Sequence, residues 1–276
     1  MRRPPGVRRF LSTAIAHLVL IAFSAAILLP LLWVLRVSLT DRLTAYRIPP
    51  RWTVPSLENY VTIFTSYPFP TWFLNSVIVG LGSTAVALPL ATALAYAFAR
   101  YDTGGAALRL SVLMSQMLPP IVLVLPLFAI FLSARLLNTH LAIVIAHMAL
   151  NLPFLAWILI AFFDQEVRQL EEAARMEGAS RFQAFYRVAV PVAAPGLLSA
   201  GLLAFILSWN EFLFALILSG KATATLPVGL STLETQRGVE IAPLAAATLV
   251  ACLPVFVVMP LLRRYLIKGL SLGALK

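Results

Sequence analysis

Residues 169–195, QLEEAARMEGASRFQAFYRVAVPVAAP, form the longest polar interval in a chain that is 61% hydrophobic. Apolar runs flank it on both sides, so reading it as a loop between membrane helices decides the fold. Its internal order is strong helix formers, then Gly178, then a basic and aromatic segment closed by Pro191 and Pro195.

Composition supports that reading. Only 12% of the 276 residues are charged, against about 25% in an average soluble domain, and the mean hydropathy is +0.91. A soluble chain of this length has too little interior to hide so much apolar surface. A transmembrane barrel would show strands alternating with a period of two, whereas these runs are continuously apolar. The expected class is therefore an all-α, polytopic membrane protein. The formal charge of +10 fits cytoplasmic Lys and Arg under the positive-inside rule and gives no reason to invoke nucleic acid. Cys252 is the only cysteine, so no disulfide within the chain is possible.

Apolar runs long enough to cross a bilayer predict six transmembrane helices, at about 11–35, 72–98, 107–133, 141–163, 196–219 and 242–265, all within one transmembrane domain of residues 1–276. The first run, behind Arg2, Arg3, Arg8 and Arg9, exceeds a signal-peptide core and lacks a clear cleavage site, so it reads as an uncleaved span. Prolines inside these runs read mostly as ordinary kinks, because neighbouring helices re-satisfy the freed backbone groups. With the N-terminus inside, fourteen of the 21 Lys and Arg residues fall in inner segments and seven in outer ones. That asymmetry puts both termini and the 164–195 loop in the cytoplasm. The outer segment 37–71 is rich in proline and aromatics and is expected to hold one short helix, with Ser56 as N-cap and Asn59 to Phe64 following.

The motifs of hydrolytic chemistry are missing. No G-x-x-x-x-G-K-[ST] phosphate loop and no G-x-S-x-G elbow occurs, and His17, His140 and His147 are scattered rather than grouped for a metal. The expectation is a chain with no catalytic residues, metal or cofactor of its own.

The polar loop carries more information. Glu171 to Gly178 is helix-forming up to a glycine. Ala174 and Gly178 are four apart, a spacing that shares a helix face, and with Ala173 they form a small-residue surface edged by Glu172 and Glu177. Arg181, Phe182, Phe185, Tyr186 and Arg187 follow as an amphipathic turn or two. Pro191 and Pro195 are expected to stop the loop and start the fifth span, since proline suits a first helical turn. Two readings fit these residues equally: a docking surface for a partner, or an amphipathic helix lying on lipid.

Polar groups inside the spans are the other candidates. Glu211 is a carboxylate deep in an apolar run, costly unless paired or hydrated. It reads either as a pathway or gate position, beside Asn210, or as a buried hydrogen bond between helices. His147 and Asn151 are four apart and share a face near Pro153, and Gln116 lies in the third run. Each fits a solute-facing position or interhelical adhesion.

Glu172-Ala173-Ala174, three residues, Gly178, nine residues, then Val188-Ala189-Val190-Pro191 resembles the EAA motif of ABC-importer permeases, with valines where isoleucine and leucine are usual. Ser208-Trp209-Asn210-Glu211-Phe212, the outer Ser56-Leu57-Glu58-Asn59-Tyr60 and the tail Gly269 to Lys276 resemble the maltose-type carbohydrate-uptake group. The resemblance implies a cytoplasmic coupling helix seated in a cleft of an ATPase subunit, with Glu172, Ala173, Ala174, Glu177, Gly178, Arg181, Phe185 and Pro191 as coupling residues. It further implies a second related permease, two ATPase subunits holding ATP and Mg, an extracytoplasmic solute-binding protein, and residence in a bacterial inner membrane. An ion-coupled secondary transporter that uses Glu211, or a scaffold that moves no solute, are the competing readings.

Overall fold

The computed structural model describes residues 5–163, 165–235 and 238–273. Arg2, Arg3, Asp164 at the head of the loop, Arg237 and the end of the tail, 274–276, lie outside the described residues. By its contacts the chain divides into two compact units, Met1–Tyr67 with Leu233–Val250, and Pro68–Thr232 with Ala251–Lys276.

The first unit begins with α1 (Pro5–Ser38), whose segment Ser12–Ser38 is apolar enough to cross a membrane. After a loop comes α2 (Glu58–Thr65). Asn59 is buried and donates to the carbonyls of Ser38 and Thr40 at 2.9 and 2.8 Å, which satisfies the end of α1. Ser56 was the expected N-cap. Its hydroxyl does accept from the Glu58 amide at 3.1 Å, but the capping position is Leu57 and the helix starts at Glu58. A two-residue hairpin of β1 (Glu234–Thr235) and β2 (Gly238–Val239) completes this unit with the first turns of the last helix. Glu240 beside it pairs with Arg42, and Tyr46 donates to the Val239 carbonyl.

The second unit is a helical bundle built on α3 (Phe69–Tyr101), α6 (His140–Ile160) and α9 (Val190–Trp209). Lipid offers no hydrophobic drive between helices, so close packing of small residues has to supply the contact energy. Ala87, Ala91 and Ala95 of α3 repeat every four residues and are fully buried, as are Ala142, Ala146 and Ala156 of α6 and Ala204 of α9. This stripe lets the three backbones approach, and Leu155, Leu159 and Phe163 fill the space toward one end.

Between α3 and α6 the third expected span is not one helix. Gly105–Met117, consisting of α4 (Gly105–Met114) and a 3₁₀ turn, meets α5 (Pro120–Ser133) at a bend of 94°. The cause is the Pro119–Pro120 pair. A residue before proline is pushed out of the helical region, and Leu118 and Pro119 are both extended, with ψ of 126° and 128°. A single proline, as at Pro89, Pro126 or Pro153, leaves its helix continuous. Counting the bent pair once, up to six helices among the described residues are long and apolar enough to span.

The fifth span also departs from expectation. The helix does not start after Pro195; it runs from Arg181 to Trp209, first as α8 (Arg181–Ala184), then a π-helical stretch Phe185–Ala189, then α9. Pro191 and Pro195 lie inside this helical run and do not terminate the loop. Proline removes an amide donor and crowds the carbonyl four residues before it, and the widened π turn just upstream re-routes that backbone, with the Val190 amide bonding Phe185 five residues back. The chain breaks instead at 210–212, resumes in α10 (Leu213–Leu218) and α11 (Leu226–Ser231), and ends in α12 (Ile241–Gly273).

Candidate functional site

The loop helix is α7 (Gln165–Met176). Its inward face is narrow, with Val167 and Glu171, four apart, both buried. Glu171 is 0% exposed and accepts from the Tyr96 hydroxyl at 2.8 Å and from Arg100 Nε at 2.6 Å. Arg100 is itself nearly buried, so this charge-assisted bond joins α7 to the end of α3 in a low-dielectric site. Tyr96 stands among rings, 5.5 Å from Phe163, 5.8 Å from Tyr101 and 4.6 Å from Phe185. Sequence reasoning missed Glu171, Tyr96 and Arg100 as site residues. The four-residue interval from Val167 to Glu171, on a helix with one apolar stripe, was the available signal.

The EAA residues divide between two surroundings. Glu172, Ala173, Glu177 and Gly178 are exposed, Ala174 is half-buried, and Glu172 pairs across one turn with Arg168 at 3.0 Å. Gly178 lies beyond the end of α7, so it does not share a helical face with Ala174. It instead adopts φ +95°, its amide bonding Arg175 while the Ala179 amide reaches Ala174. These two bonds make a Schellman close, whose left-handed position favours glycine. Ser180 then caps α8 in a reciprocal box with Gln183. Arg181 stacks over the Tyr101 ring at 5.6 Å and Phe185 packs on Tyr96, so these two serve the joint with α3. Pro191 is exposed on the helix.

The polar residues of the spans gather around His147. Its Nδ1 is 2.6 Å from Ser208 Oγ and its Nε2 is 2.9 Å from Glu211 Oε2, while Ser83 donates to Ser208 at 3.1 Å. Glu211 also accepts from the amides of Phe214 and Ala215 at 3.0 and 3.1 Å, closing the N-terminal end of α10 after the chain break. This carboxylate is paired and hydrogen-bonded, which is what permits its burial. Asn151, one turn from His147 on the same face, donates to the Ala204 carbonyl at 3.3 Å. Asn210 points elsewhere. It is exposed, and its side-chain amide donates back to the Ile206 carbonyl at 2.8 Å. Gln116, exposed at the bent pair, donates to Leu150 at 2.9 Å. Ser83 and Ser208 were not singled out from sequence, although Ser208 opens the quoted SWNEF segment. Among the described residues no group of three or more His, Cys, Asp and Glu side chains is arranged to hold a metal ion.

Spanning helices packed on small residues, with an amphipathic helix fixed to the bundle by one buried carboxylate, make a polytopic helical membrane fold. The chain belongs to the family described as binding-protein-dependent transport system inner membrane component, which it matches over residues 87–272. It is 35% identical to the sulfoquinovosyl glycerol transport system permease of Agrobacterium fabrum, over 90% of this chain and 89% of that one. It is also 35% identical to the trehalose transport system permease of Mycobacterium tuberculosis, over 98% and 99%. A crystal structure of a bacterial ABC transporter involved in the import of alginate shares the fold, with a TM-score of 0.73 over 96% of this chain and 99% of that one at 20% identity. The protein is thus a permease subunit of an ABC importer, a multi-pass inner-membrane component that is not itself an enzyme.

Proposed function

We propose that this permease carries a carbohydrate or a related polyhydroxylated solute into the cytoplasm, with both of its termini and α7 on the cytoplasmic side. The observation that carries the coupling half of this reading is the Glu171–Arg100 joint, which ties α7 to α3 and leaves Glu172, Ala173, Glu177 and Gly178 open to a partner. The carbohydrate half rests on the solutes named for the relatives, sulfoquinovosyl glycerol and trehalose.

In this reading the chain pairs with a second permease above two ATPase subunits, which bind ATP and Mg, and an extracytoplasmic binding protein delivers the solute. Closure of the ATPases draws the loop helices together. Glu171 passes that displacement to α3, and α3 moves its partners α6 and α9 through the alanine stripe. The access of a central site then alternates between the two sides. Asn210 and Gln116, exposed beside the two breaks, are the pathway candidates, whereas His147, Asn151 and Glu211 hold helices together. An ion-coupled mechanism through Glu211 has no support in the family, and the carboxylate is already engaged by His147 and two amides.

The test is purification of the chain from its native membrane followed by reconstitution. A complex with a second permease and an ATPase pair, taking up a labelled oligosaccharide only with ATP and the binding protein, is the expected result. A lone chain that transports under an ion gradient would overturn it.

A further inference from the structure

We infer that the segment from Leu43 to Leu57 is a membrane-interface anchor, seated among lipid headgroups at the end of α1. The depth of this loop can be read from one guanidinium. Arg36 lies 4.9 Å from the Trp33 ring and 5.2 Å from the Trp52 ring, and it donates to the Arg51 carbonyl at 2.5 Å. Trp33 and Arg36 belong to α1, whereas Arg51 and Trp52 belong to the loop. The loop is therefore pinned to the level of Arg36.

That level follows from helix geometry. The apolar segment Ser12–Ser38 has 27 residues, and at about 1.5 Å per residue a hydrocarbon layer of about 30 Å covers about 20 of them. With the segment centred, Trp33 sits about 12 Å and Arg36 about 16 Å from the bilayer midplane. Those are the depths at which tryptophan collects and at which arginine reaches headgroups. The most apolar window of α1 has none of its residues buried within the chain, so the chain's own bundle leaves this end of the helix uncovered.

The loop then presents what an interface takes. Leu43, Ile48, Trp52, Val54 and Leu57 are all exposed, Ile48 at 95% and Val54 at 88%. Arg47 and Arg51, also exposed, lie between them. Exposed apolar side chains grouped in one segment and interleaved with guanidinium groups mark a membrane or protein contact. Its fixed height beside a span that its own chain leaves uncovered, continuous with a segment already in the bilayer, selects lipid. Anionic headgroup phosphates suit Arg47 and Arg51, and the apolar side chains suit the upper acyl region. The inference does not depend on which side of the membrane the loop occupies, nor on the solute.

Spin labels would test it on the full chain, with the subunits that co-purify, in nanodiscs of phosphatidylethanolamine and phosphatidylglycerol. In a Cys252→Ser background, Ile48→Cys and Val54→Cys report the loop, Phe23→Cys the bilayer interior and Lys221→Cys an aqueous loop. The expected result is an oxygen-to-nickel-chelate collision ratio at 48 and 54 between the two references, unchanged by a soluble binding protein. Trp52→Ala should raise nickel collisions at position 48 severalfold, and Trp52→Phe should not. Nickel access at 48 and 54 equal to that at 221 would overturn the anchor, as would exclusion of both colliders, which would mean that protein covers the loop.

Discussion

Glu171 and Arg100, 71 residues apart in sequence, meet at 2.6 Å with both side chains out of water. The pair is the joint between the loop helix and the bundle. Removing one partner of such a pair leaves the other charge buried and uncompensated, at a cost of about 3–5 kcal/mol. Glu171→Gln should therefore reduce the thermal stability of the purified permease, by about 6–20 °C in a light-scattering or fluorescence melt. The reversed pair Glu171→Arg with Arg100→Glu should recover part of that loss, because each charge again has a partner. In the assembled importer, any Glu171→Gln protein that survives should hydrolyse ATP with little uptake. Full coupling in that variant would show that α7 reaches α3 by another route.

Gly178 offers a test of docking that is separate from folding. Its φ of +95° costs about 1–2 kcal/mol for a residue with a Cβ, yet a Cβ there meets no atom of this chain within 4 Å. Gly178→Asn, which tolerates the left-handed region, should keep the helix close and most of the uptake. Gly178→Leu adds bulk to the exposed end of α7 and should lower the amount of ATPase that co-purifies while the permease still inserts. Normal ATPase yield and uptake in Gly178→Leu would count against a docking role.

These two positions also show what the sequence could and could not disclose. Apolar length and charge asymmetry made the helical membrane class legible, and the spacing from Glu172 through Gly178 to Pro191 carried the family. What escaped depended on three-dimensional pairing. Glu171 looked like one acid in a polar run, because its four-residue interval from Val167 hints at a shared face but does not name Tyr96 and Arg100 as the groups that face meets. Pro119 and Pro120 read as ordinary kinks, and Pro191 as the stop of the loop. One pair forces consecutive extended residues and a 94° bend, while the other proline is absorbed by a π turn. Gly178 was read as a small surface, but its backbone angle accounts for it.

Gly229 marks a contact where size decides stability. A Cβ built there would fall 2.0 Å from the Trp72 indole, which is nearly buried where α11 packs on α3. The indole sits in a packed site, so relief requires backbone movement, and overpacking of this kind typically costs about 1–3 kcal/mol. Gly229→Ala should lower the melting temperature of the purified chain, and adding Trp72→Leu should restore part of it by making room. An unchanged melt for Gly229→Ala alone would mean that α11 shifts freely on α3.

Glu211 separates a structural carboxylate from a proton carrier. Its two oxygens accept from the Phe214 and Ala215 amides, and one of them also faces His147. Glutamine has the same shape but a single acceptor oxygen, so Glu211→Gln keeps one of the two amide bonds at the start of α10 and a hydrogen bond to one nitrogen of His147. Uptake by the reconstituted importer should stay within severalfold of the unmodified protein and remain dependent on ATP. Glu211→Ala strands both amides and the imidazole in an apolar setting, where each unsatisfied group costs about 1–3 kcal/mol. That variant should lose stability and assembly together, and its loss should exceed that of Glu211→Gln by at least 1 kcal/mol. A proton carrier predicts the reverse pattern, with uptake abolished equally by Gln and by Ala while the assembled complex stays intact. Uptake measured beside complex yield in the two variants distinguishes these outcomes.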